Sequence, residues 1–256
     1  MAYHHQHTRT LDLKTPVRNR YFYGKLLDVF HFELEQSYFN AKRWLLNRRV
    51  FGYGVICGLD VRLSEDRKGI IVLPGIALDK WGREIIVPEP SDSVPLPSAA
   101  SQETYSGEQR SHEEADFVHI VLCFHECESD PMPALAGTCD TDALCAPSTI
   151  REQYRVEIRD GKAPEITTEC SVPDVISGGR INYPALAIQV TRACPELPDD
   201  PCIPLANVRL PKEGMVCHQD DIDITVRPIV YTNDLLFELI LALMNEDQDY
   251  PRGGKR

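Results

Sequence analysis

The chain has 256 residues, of which 43% are apolar, and this is enough to build a hydrophobic core in one large or two small domains. Its formal net charge of −12 argues against general nucleic-acid binding, because contacts to phosphates require clustered Lys and Arg. No apolar run approaches the roughly 20 residues that span a bilayer, and the polar start does not resemble a signal peptide. We therefore expect no nucleic-acid partner and no membrane span. The expected location is the cytoplasm.

A polar arm followed by a helix is predicted at the N-terminus. Residues 1–19 are polar and irregular, which is typical of an arm that orders against a neighbouring subunit. Between Asp28 and Arg49, apolar residues recur at the spacing of one helix face. The residues of this stripe are Leu34, Tyr38, Ala41 and Leu45. Asp28 is suited to cap the first turn, and Gly52 to end the helix. We expect the stripe to pack against the first strands.

Apolar alternation and turn residues predict a series of short strands after this helix. The predicted strands are 55–63, 70–73, 76–78, 84–87, 117–124, 150–158, 185–191, 203–210 and 222–229. A last helix begins at Thr232 or Asn233. Its apolar face contains Leu235, Leu236, Leu239, Ile240 and Leu243. The predicted fold class is therefore α+β and strand-dominated, with short antiparallel strands, an N-terminal amphipathic helix and a C-terminal helix.

Changes in composition divide the chain into five segments. The segments are an N-terminal arm (1–19), a helix plus short-strand unit (20–90), a Pro/Ser-rich linker (91–116), a second strand-rich unit with cysteine-rich loops and the C-terminal helix (117–245), and a polar tail (246–256). A linker of this length is usually functional or disordered.

Four of the nine cysteines lie close together in the sequence and are the strongest candidates for metal ligands. They are Cys123, Cys127, Cys139 and Cys145, in a segment predicted as a loop. Zinc prefers four thiolate or imidazole ligands in a tetrahedron, although this spacing matches no zinc-finger signature. Disulfides and free or packed thiols are the alternatives, and an odd number of cysteines leaves at least one unpaired. Apart from zinc at this site, we expect no cofactor.

The sequence contains no recognised catalytic motif. The glycines from Gly52 to Gly58 follow a helix and precede a strand, which is the reverse of a dinucleotide-binding loop. His119 has no partner at metal-ligand spacing within its strand, so we expect a core histidine with a hydrogen-bond partner. We therefore expect a protein that is not an enzyme. A cytoplasmic zinc-binding protein and a hydrolase with an unrecognised site are the alternatives.

Roughly a third of the chain carries a family pattern. Its first part contains Phe22, Gly24, Lys25, Leu26 and Leu27, then Glu33, Glu35, Gln36, Tyr38, Arg43, Leu46 and Asn47, and ends with Gly52, Gly54, Val55, Cys57, Gly58 and Leu59. Its second part is Pro74-Gly75-x-Ala77-x-Asp79-x-x-Gly82-Arg83-Glu84-Ile85-Ile86-Val87, with weaker matches at 201–206 and 230–236. This pattern resembles a family of mostly uncharacterised proteins associated with phage-tail-like contractile injection systems. The N-terminal part is also similar to phage baseplate and tail-fibre proteins.

The resemblance implies a structural or adaptor component of such a particle, at the baseplate or at a fibre attachment. It implies other particle subunits as partners, and a homo-oligomer or symmetric copies, because such particles assemble about closed symmetry axes. The resemblance identifies no catalytic residues in this chain. The resemblance therefore predicts a structural setting and not a reaction.

Aromatic and positively charged residues are concentrated directly before the first helix. These residues are Arg18, Arg20, Tyr21, Phe22 and Tyr23. Aromatic and arginine side chains are enriched in the cores of protein interfaces. We predict that these five residues contact another subunit.

Overall fold

The computed structural model of the chain describes residues 15–97, 116–133, 145–166, 175–177, 180–211 and 215–249. The chain forms two compact units. Unit 1 consists of Met1–Lys42 and Glu165–Asp199, and unit 2 consists of Arg43–Pro164 and Asp200–Arg256.

The described elements are mostly short strands, with a long helix near each end of the chain. The helices are α1 (Val29–Leu46), α2 (Tyr183–Gln189) and α3 (Asn233–Asp249); a π-helical turn (Asn47–Phe51) follows α1, and a 3-10 turn spans Gln219–Asp221. The strands are β1 (Gly54–Gly58), β2 (Val61–Leu63), β3 (Gly69–Val72), β4 (Gly75–Leu78), β5 (Glu84–Val87), β6 (Val94–Pro95), β7 (Phe117–Pro133), β8 (Cys145–Asp160), β9 (Ile176–Ser177), β10 (Arg180–Ile181), β11 (Ile203–Arg209) and β12 (Ile222–Asp223).

The sheets are small and their neighbouring strands run antiparallel. Their strand orders are β1-β4-β5, β2-β3-β6, β12-β11-β7-β8 and β10-β9. This confirms the predicted fold class: strand-dominated α+β with an N-terminal and a C-terminal helix.

One hydrophobic core in unit 2 joins the first three of these sheets. Its fully buried aliphatic side chains include Leu59, Val61, Ile70, Val72, Ile85, Val87, Val118, Ile120, Leu122, Ile203, Leu205 and Val208. Each such side chain stabilises the fold by about 1.5–3 kcal/mol relative to an exposed one. Strands that the sequence predictions placed in two separate units therefore share this core.

Helix α1 begins where the sequence predicts, but its stripe is not buried. The backbone N–H of His31 donates to the carboxylate of Asp28 over 3.2 Å, which is an N-terminal cap. None of the helix residues is buried, and within the predicted stripe Ala41 is exposed while the other three are half-buried. The stripe is therefore not a fully buried face of the helix, and its contact with the first strands stays a prediction. Polar contacts from the C-terminal end of the helix, described below, join it to the strands.

The predicted strand at 185–191 was wrong, because residues 185–189 belong to helix α2 and a turn follows them. The side chain of Asn182 accepts the backbone N–H of Ala185 over 3.4 Å, and Pro184 lies in the first turn. Asn at the cap and Pro in the first turn are signals of a helix start. The β-branched residues Ile188 and Val190 favoured a strand, but the cap determines the structure.

The predicted strand at 222–229 is much shorter in the structure. Only Ile222 and Asp223 pair with β11, because the side chain of Asp223 accepts the backbone N–H of Thr225 over 2.9 Å and turns the chain. Such a turn, made by an Asp side chain with a backbone amide two residues on, competes with strand pairing.

The interpretation of residues 123–133 as a loop was also wrong. Strands β7 and β8 pair from Val118 with Asp160 as far as Pro133 with Cys145, and so form a long two-stranded ribbon. Beyond Phe124 most side chains of the ribbon are exposed, so the sequence shows no apolar alternation there. Residues 134–144 lie outside the described part of the chain.

Candidate interaction surface

The five predicted interface residues lie in the segment that leads into α1, and all five are exposed. The exposed fraction is 64% for Phe22, and Tyr23 is fully exposed. Arg18 and Arg20 are exposed beside them. Residues 15–28 are called the N-terminal segment below.

Lys25 holds the N-terminal segment in one conformation. Its backbone N–H donates to the carbonyl of Phe22 over 3.1 Å, which closes a turn. Its ammonium donates to the side-chain oxygen of Asn19 and to the carbonyl of Arg20, both over 3.3 Å. The same ammonium lies 5.6 Å from the ring centroid of Tyr21, within the range of a cation–π contact. The side chain of Lys25 thus contacts three residues of the segment, and its backbone N–H contacts a fourth.

Two further hydrogen bonds join the N-terminal segment to α1. The side-chain amide of Asn19 donates to the carbonyl of His31, and the hydroxyl of Tyr21 donates to the carboxylate of Glu35. The bond to Glu35 raises the pKa of Tyr21, because it favours the protonated phenol. The backbone of this segment is therefore fixed, while its aromatic rings remain largely exposed.

The exposed apolar surface extends from this segment into α1. Its large side chains, each more than half exposed, are Val17, Tyr21, Phe22, Tyr23, Leu26, Val29, Phe30 and Phe32, and we call them the N-terminal apolar surface. Single exposed apolar residues are ordinary, but extended groups of them mark interaction sites. Sequence reasoning found the aromatic residues at 21–23 and missed the others. The missed signal was the presence of apolar residues outside the helix stripe.

Residues of the family pattern meet where α1 ends beside the β4–β5 hairpin. The side-chain amide of Asn47 donates to the carbonyl of Gly82 and to the carboxylate of Glu84, both over 2.8 Å. The guanidinium of Arg43 pairs with the same carboxylate at 3.2 Å. All four residues belong to the pattern quoted above. This part of the pattern therefore attaches the helix end to the hairpin.

Two glycines of the pattern allow backbones to approach more closely than other residues permit. Gly58 and Gly82 have φ values of 67° and 92°. A Cβ atom would lie 2.1 Å from the carbonyl oxygen of Pro74 in the first case and 2.2 Å from that of Trp44 in the second. Both positions combine a left-handed backbone with a steric clash, so only glycine fits without rearrangement.

The buried carboxylate of Asp79 organises the turn of the same hairpin. Its side chain is 0% exposed and accepts the backbone N–H groups of Trp81 and Arg83 over 2.9 and 2.8 Å. The guanidinium of Arg83 donates to it over 2.6 Å and lies 4.5 Å from the ring centroid of Phe124. Buried carboxylates are tolerated when they are paired and hydrogen-bonded in this way. The arrangement supports the turn and presents no carboxylate to a substrate.

The structure describes three of the four predicted zinc ligands, and it does not bring these three, Cys123, Cys127 and Cys145, together as a metal site. Cys123 forms a disulfide with Cys202, with their Cα atoms 4.5 Å apart, and is therefore not a thiolate while this bond is intact. Cys127 and Cys145 are exposed in the ribbon, and Cys139 lies outside the described residues. Within the described ranges, no group of three or more His, Cys, Asp or Glu side chains is placed to hold a metal ion. A zinc site with all four cysteines stays a prediction for the chain with this disulfide open.

Charged side chains surround the disulfide. The guanidinium of Arg159 pairs with the carboxylate of Asp200 at 2.7 Å and with that of Glu157 at 3.1 Å. Burial by itself would raise the pKa of Asp200, but hydrogen bonds from Arg159 and from the backbone N–H of Cys202, together with the charges of Arg159 and Lys80, hold that pKa below its ordinary value. These contacts hold in place the residues that directly precede β11.

Other polar groups of unit 2 are engaged in the fold. The ring Nδ1 of His119 lies 2.9 Å from the carbonyl of Gly161, so this half-buried histidine has the expected hydrogen-bond partner but is not a core residue. A cavity of about 640 Å³ is lined by polar and apolar residues. They are Asp116, Arg209, Leu210, Pro211, Met215, Val216, His218 and Asp221. The carboxylate of Asp221 accepts the backbone N–H of His218 over 2.8 Å, so this lining residue caps the 3-10 turn.

No family model matches the sequence, and no curated protein matches it. Among solved structures, the crystal structure of TssK is similar to this chain, with 13% sequence identity and a TM-score of 0.39. The similarity covers 94% of this chain and 51% of TssK, so the chain spans about half the length of that protein. No helix in the described part of the chain is long and apolar enough to cross a membrane.

Proposed function

We propose that the chain is a structural subunit of a phage-tail-like contractile injection particle, at the baseplate or at a fibre attachment. It joins other subunits of the particle through the N-terminal apolar surface and is present in symmetric copies. The chain is made in the cytoplasm and leaves the cell only with the particle. The main support is one observation: this apolar surface is exposed although hydrogen bonds connect its segment internally and to α1.

A fixed backbone with exposed aromatic rings is well suited to binding. Association is weakened when a flexible segment must be ordered, and the contacts of Lys25 and Tyr21 already order this one. Aromatic residues supply much of the binding free energy at protein interfaces. Arg18, Arg20 and Lys25 also make this segment locally basic within an acidic chain, which suits an acidic partner surface.

The polar residues of the family pattern also favour a structural role. Asp79, Arg83, Asn47 and Glu84 hydrogen-bond to one another or to nearby backbone, and so hold the helix end and the hairpin together. A chain that carries this pattern is therefore expected to share an architecture with the family, without sharing a reaction.

The test is incorporation of a double variant, Phe22→Ser with Tyr23→Ser, into particles purified from cells. Both side chains are exposed, so the isolated variant should keep its secondary structure and melting temperature. Loss of two interface aromatics commonly removes more than 2 kcal/mol of binding free energy, so occupancy measured by mass spectrometry should fall about tenfold or more. Met132→Ser is the matched control, because Met132 is exposed in the ribbon of unit 2. Its occupancy should remain that of the parent.

Two results would contradict the proposal in different ways. Full occupancy of the double variant would show that the N-terminal apolar surface is not the attachment. Absence of the unaltered chain from purified particles would show that the chain is not a particle subunit at all.

A further inference from the structure

Helix α3 has an apolar surface that extends around most of its circumference. Its large apolar side chains are between 39% and 66% exposed, and they are Leu236, Phe237, Leu239, Ile240, Leu241, Leu243 and Met244. At about 100° per residue, these positions together with half-buried Leu235 occupy an arc of roughly 240°. A helix with so wide an apolar arc is normally covered by neighbours on more than one side.

The start of α3 is attached to strand β1, which lies in the same unit. Val230 is buried, and its backbone N–H donates to the carbonyl of Val55 in β1 over 3.0 Å. The hydroxyl of Thr232 accepts the backbone N–H of Leu235 over 3.2 Å and caps the helix. The core thus fixes the position and direction in which α3 presents its apolar arc.

The charges of α3 argue against a lipid surface as the occupant of this arc. Between Asn233 and Met244 the only charged residues are Asp234 and Glu238, and both lie in the remaining third of the circumference. Helices that lie on membranes typically carry Lys and Arg along their polar face. A helix with carboxylates at these positions is better suited to a protein partner.

We propose that α3 packs against α3 of other copies of this chain. The arc contains no charge that would select an oppositely charged partner, so its surface is complementary to itself. The exposed apolar area amounts to roughly 600 Å² per helix, close to the 800 Å² or so that each partner contributes to a stable interface. An arc of this width gives each helix two neighbours, which favours a bundle of three or more copies over a pair. This self-association does not depend on the function proposed above.

The test is the mass of the purified chain by light scattering and sedimentation over a range of concentrations. The unaltered chain should have a multiple of 29.0 kDa, and a double variant, Ile240→Glu with Leu243→Glu, should sediment as a monomer with unchanged secondary structure. Ala242→Glu is the matched control, because it adds the same carboxylate outside the arc. It should keep the oligomer. If the double variant does not fold, the milder Leu243→Ser should weaken self-association at least tenfold.

Each opposite result overturns this inference. If the chain is monomeric at every concentration, the apolar arc of α3 is covered by a different protein or by other residues of the same chain. An oligomer that survives the double variant associates through another surface. Dissociation by Ala242→Glu to the same extent as by the double variant would mean that a charge anywhere on α3 suffices, and that the arc has no special role.

Discussion

Gly82 shows how strictly a single residue of the family pattern is required by its surroundings. Its left-handed backbone lies against the carbonyl of Trp44, so an added methyl group meets both strain and a clash with backbone. We expect Gly82→Ala to lower the free energy of unfolding by about 3 kcal/mol or more, since strained backbone alone costs about 1–3 kcal/mol. Urea denaturation of the purified chain measures this loss.

Gly161 provides the control for this substitution. It also has a positive φ, 78°, but no atom lies within 4 Å of the position of its Cβ. Gly161→Ala therefore meets the backbone strain without the clash, and should cost only about 1–2 kcal/mol. Equal losses for the two variants would mean that the contact with Trp44 contributes nothing to stability.

Asp200 should make stability depend on pH in the acid range. Its pKa in the folded chain is below the ordinary value of 3.8, so its ionised form contributes to stability above 3.8. This contribution is lost as the pH falls from 3.8 through the lower folded pKa, where the carboxylate is protonated and its pairing with Arg159 ends. We expect Asp200→Asn to flatten the acid limb of a plot of unfolding free energy against pH. A variant with the same acid limb as the parent would show that other carboxylates cause it.

Some residue-level features could be predicted from the sequence, and others could not. The cap at Asp28 and the hydrogen-bonded His119 were predictable, because both depend on neighbours in the chain or on ordinary burial. The disulfide joins cysteines separated by 79 positions, and the sequence does not show that Cys123 in β7 lies beside Cys202, the residue directly before β11. Cysteine pairing depends on this topology and not on spacing.

At the scale of elements, the C-terminal end of α1 is joined to the β4–β5 hairpin mainly by Asn47 and Glu84. Their direct hydrogen bond, over 2.8 Å, predicts that the two residues are energetically coupled. In a double-mutant cycle with Asn47→Ala and Glu84→Ala, we expect a coupling free energy of about 1 kcal/mol from thermal or urea unfolding. Strictly additive losses would mean that the bond is not formed in solution. Asn47→Ala paired with Asp66→Ala, a remote carboxylate, should be additive.

The element predictions succeeded where apolar alternation and local turn chemistry agreed. The β4–β5 hairpin was predicted within a residue, since both strands have a buried face and the turn residues lie between them. The predicted strand at 55–63 is interrupted because Gly58 and Leu59 both have positive φ values, which the alternation does not reveal. The ribbon beyond Phe124 was missed for the opposite reason, because exposed strands need no apolar alternation.

At the scale of the whole molecule, the disulfide links strands from distant parts of the sequence in unit 2. Closing a loop between residues 79 apart restricts the unfolded chain, which corresponds to about 4.5 kcal/mol in the chain-entropy account. We expect Cys123→Ser with Cys202→Ser, or reduction of the parent, to lower the free energy of unfolding by about that amount. The same double variant should be insensitive to reductant. Equal stability of the oxidised and reduced parent would contradict a closed disulfide in the folded chain.

The periodicity of apolar residues predicted the fold class of the molecule but not the place of its exposed apolar surfaces. Leu26 and Phe30 have the composition of core residues, and only their high exposure in the structure identifies a surface. The proposal that the chain belongs to a particle rests on the resemblance of its sequence pattern. The proposal of an attachment surface rests on the exposed residues of the structure.

The central claim is that this chain is a particle subunit attached through its N-terminal segment. The most direct measurement is cross-linking mass spectrometry of particles purified from cells that express the unaltered chain. We expect the chain to co-purify with the particle, and a lysine-reactive cross-linker to join another subunit to Lys25, which lies within the N-terminal apolar surface, or to Lys42, which lies further along α1. Co-purification with cross-links only from Lys162 or Lys68 of unit 2 would contradict the attachment. Purified particles without the chain would contradict the claim itself.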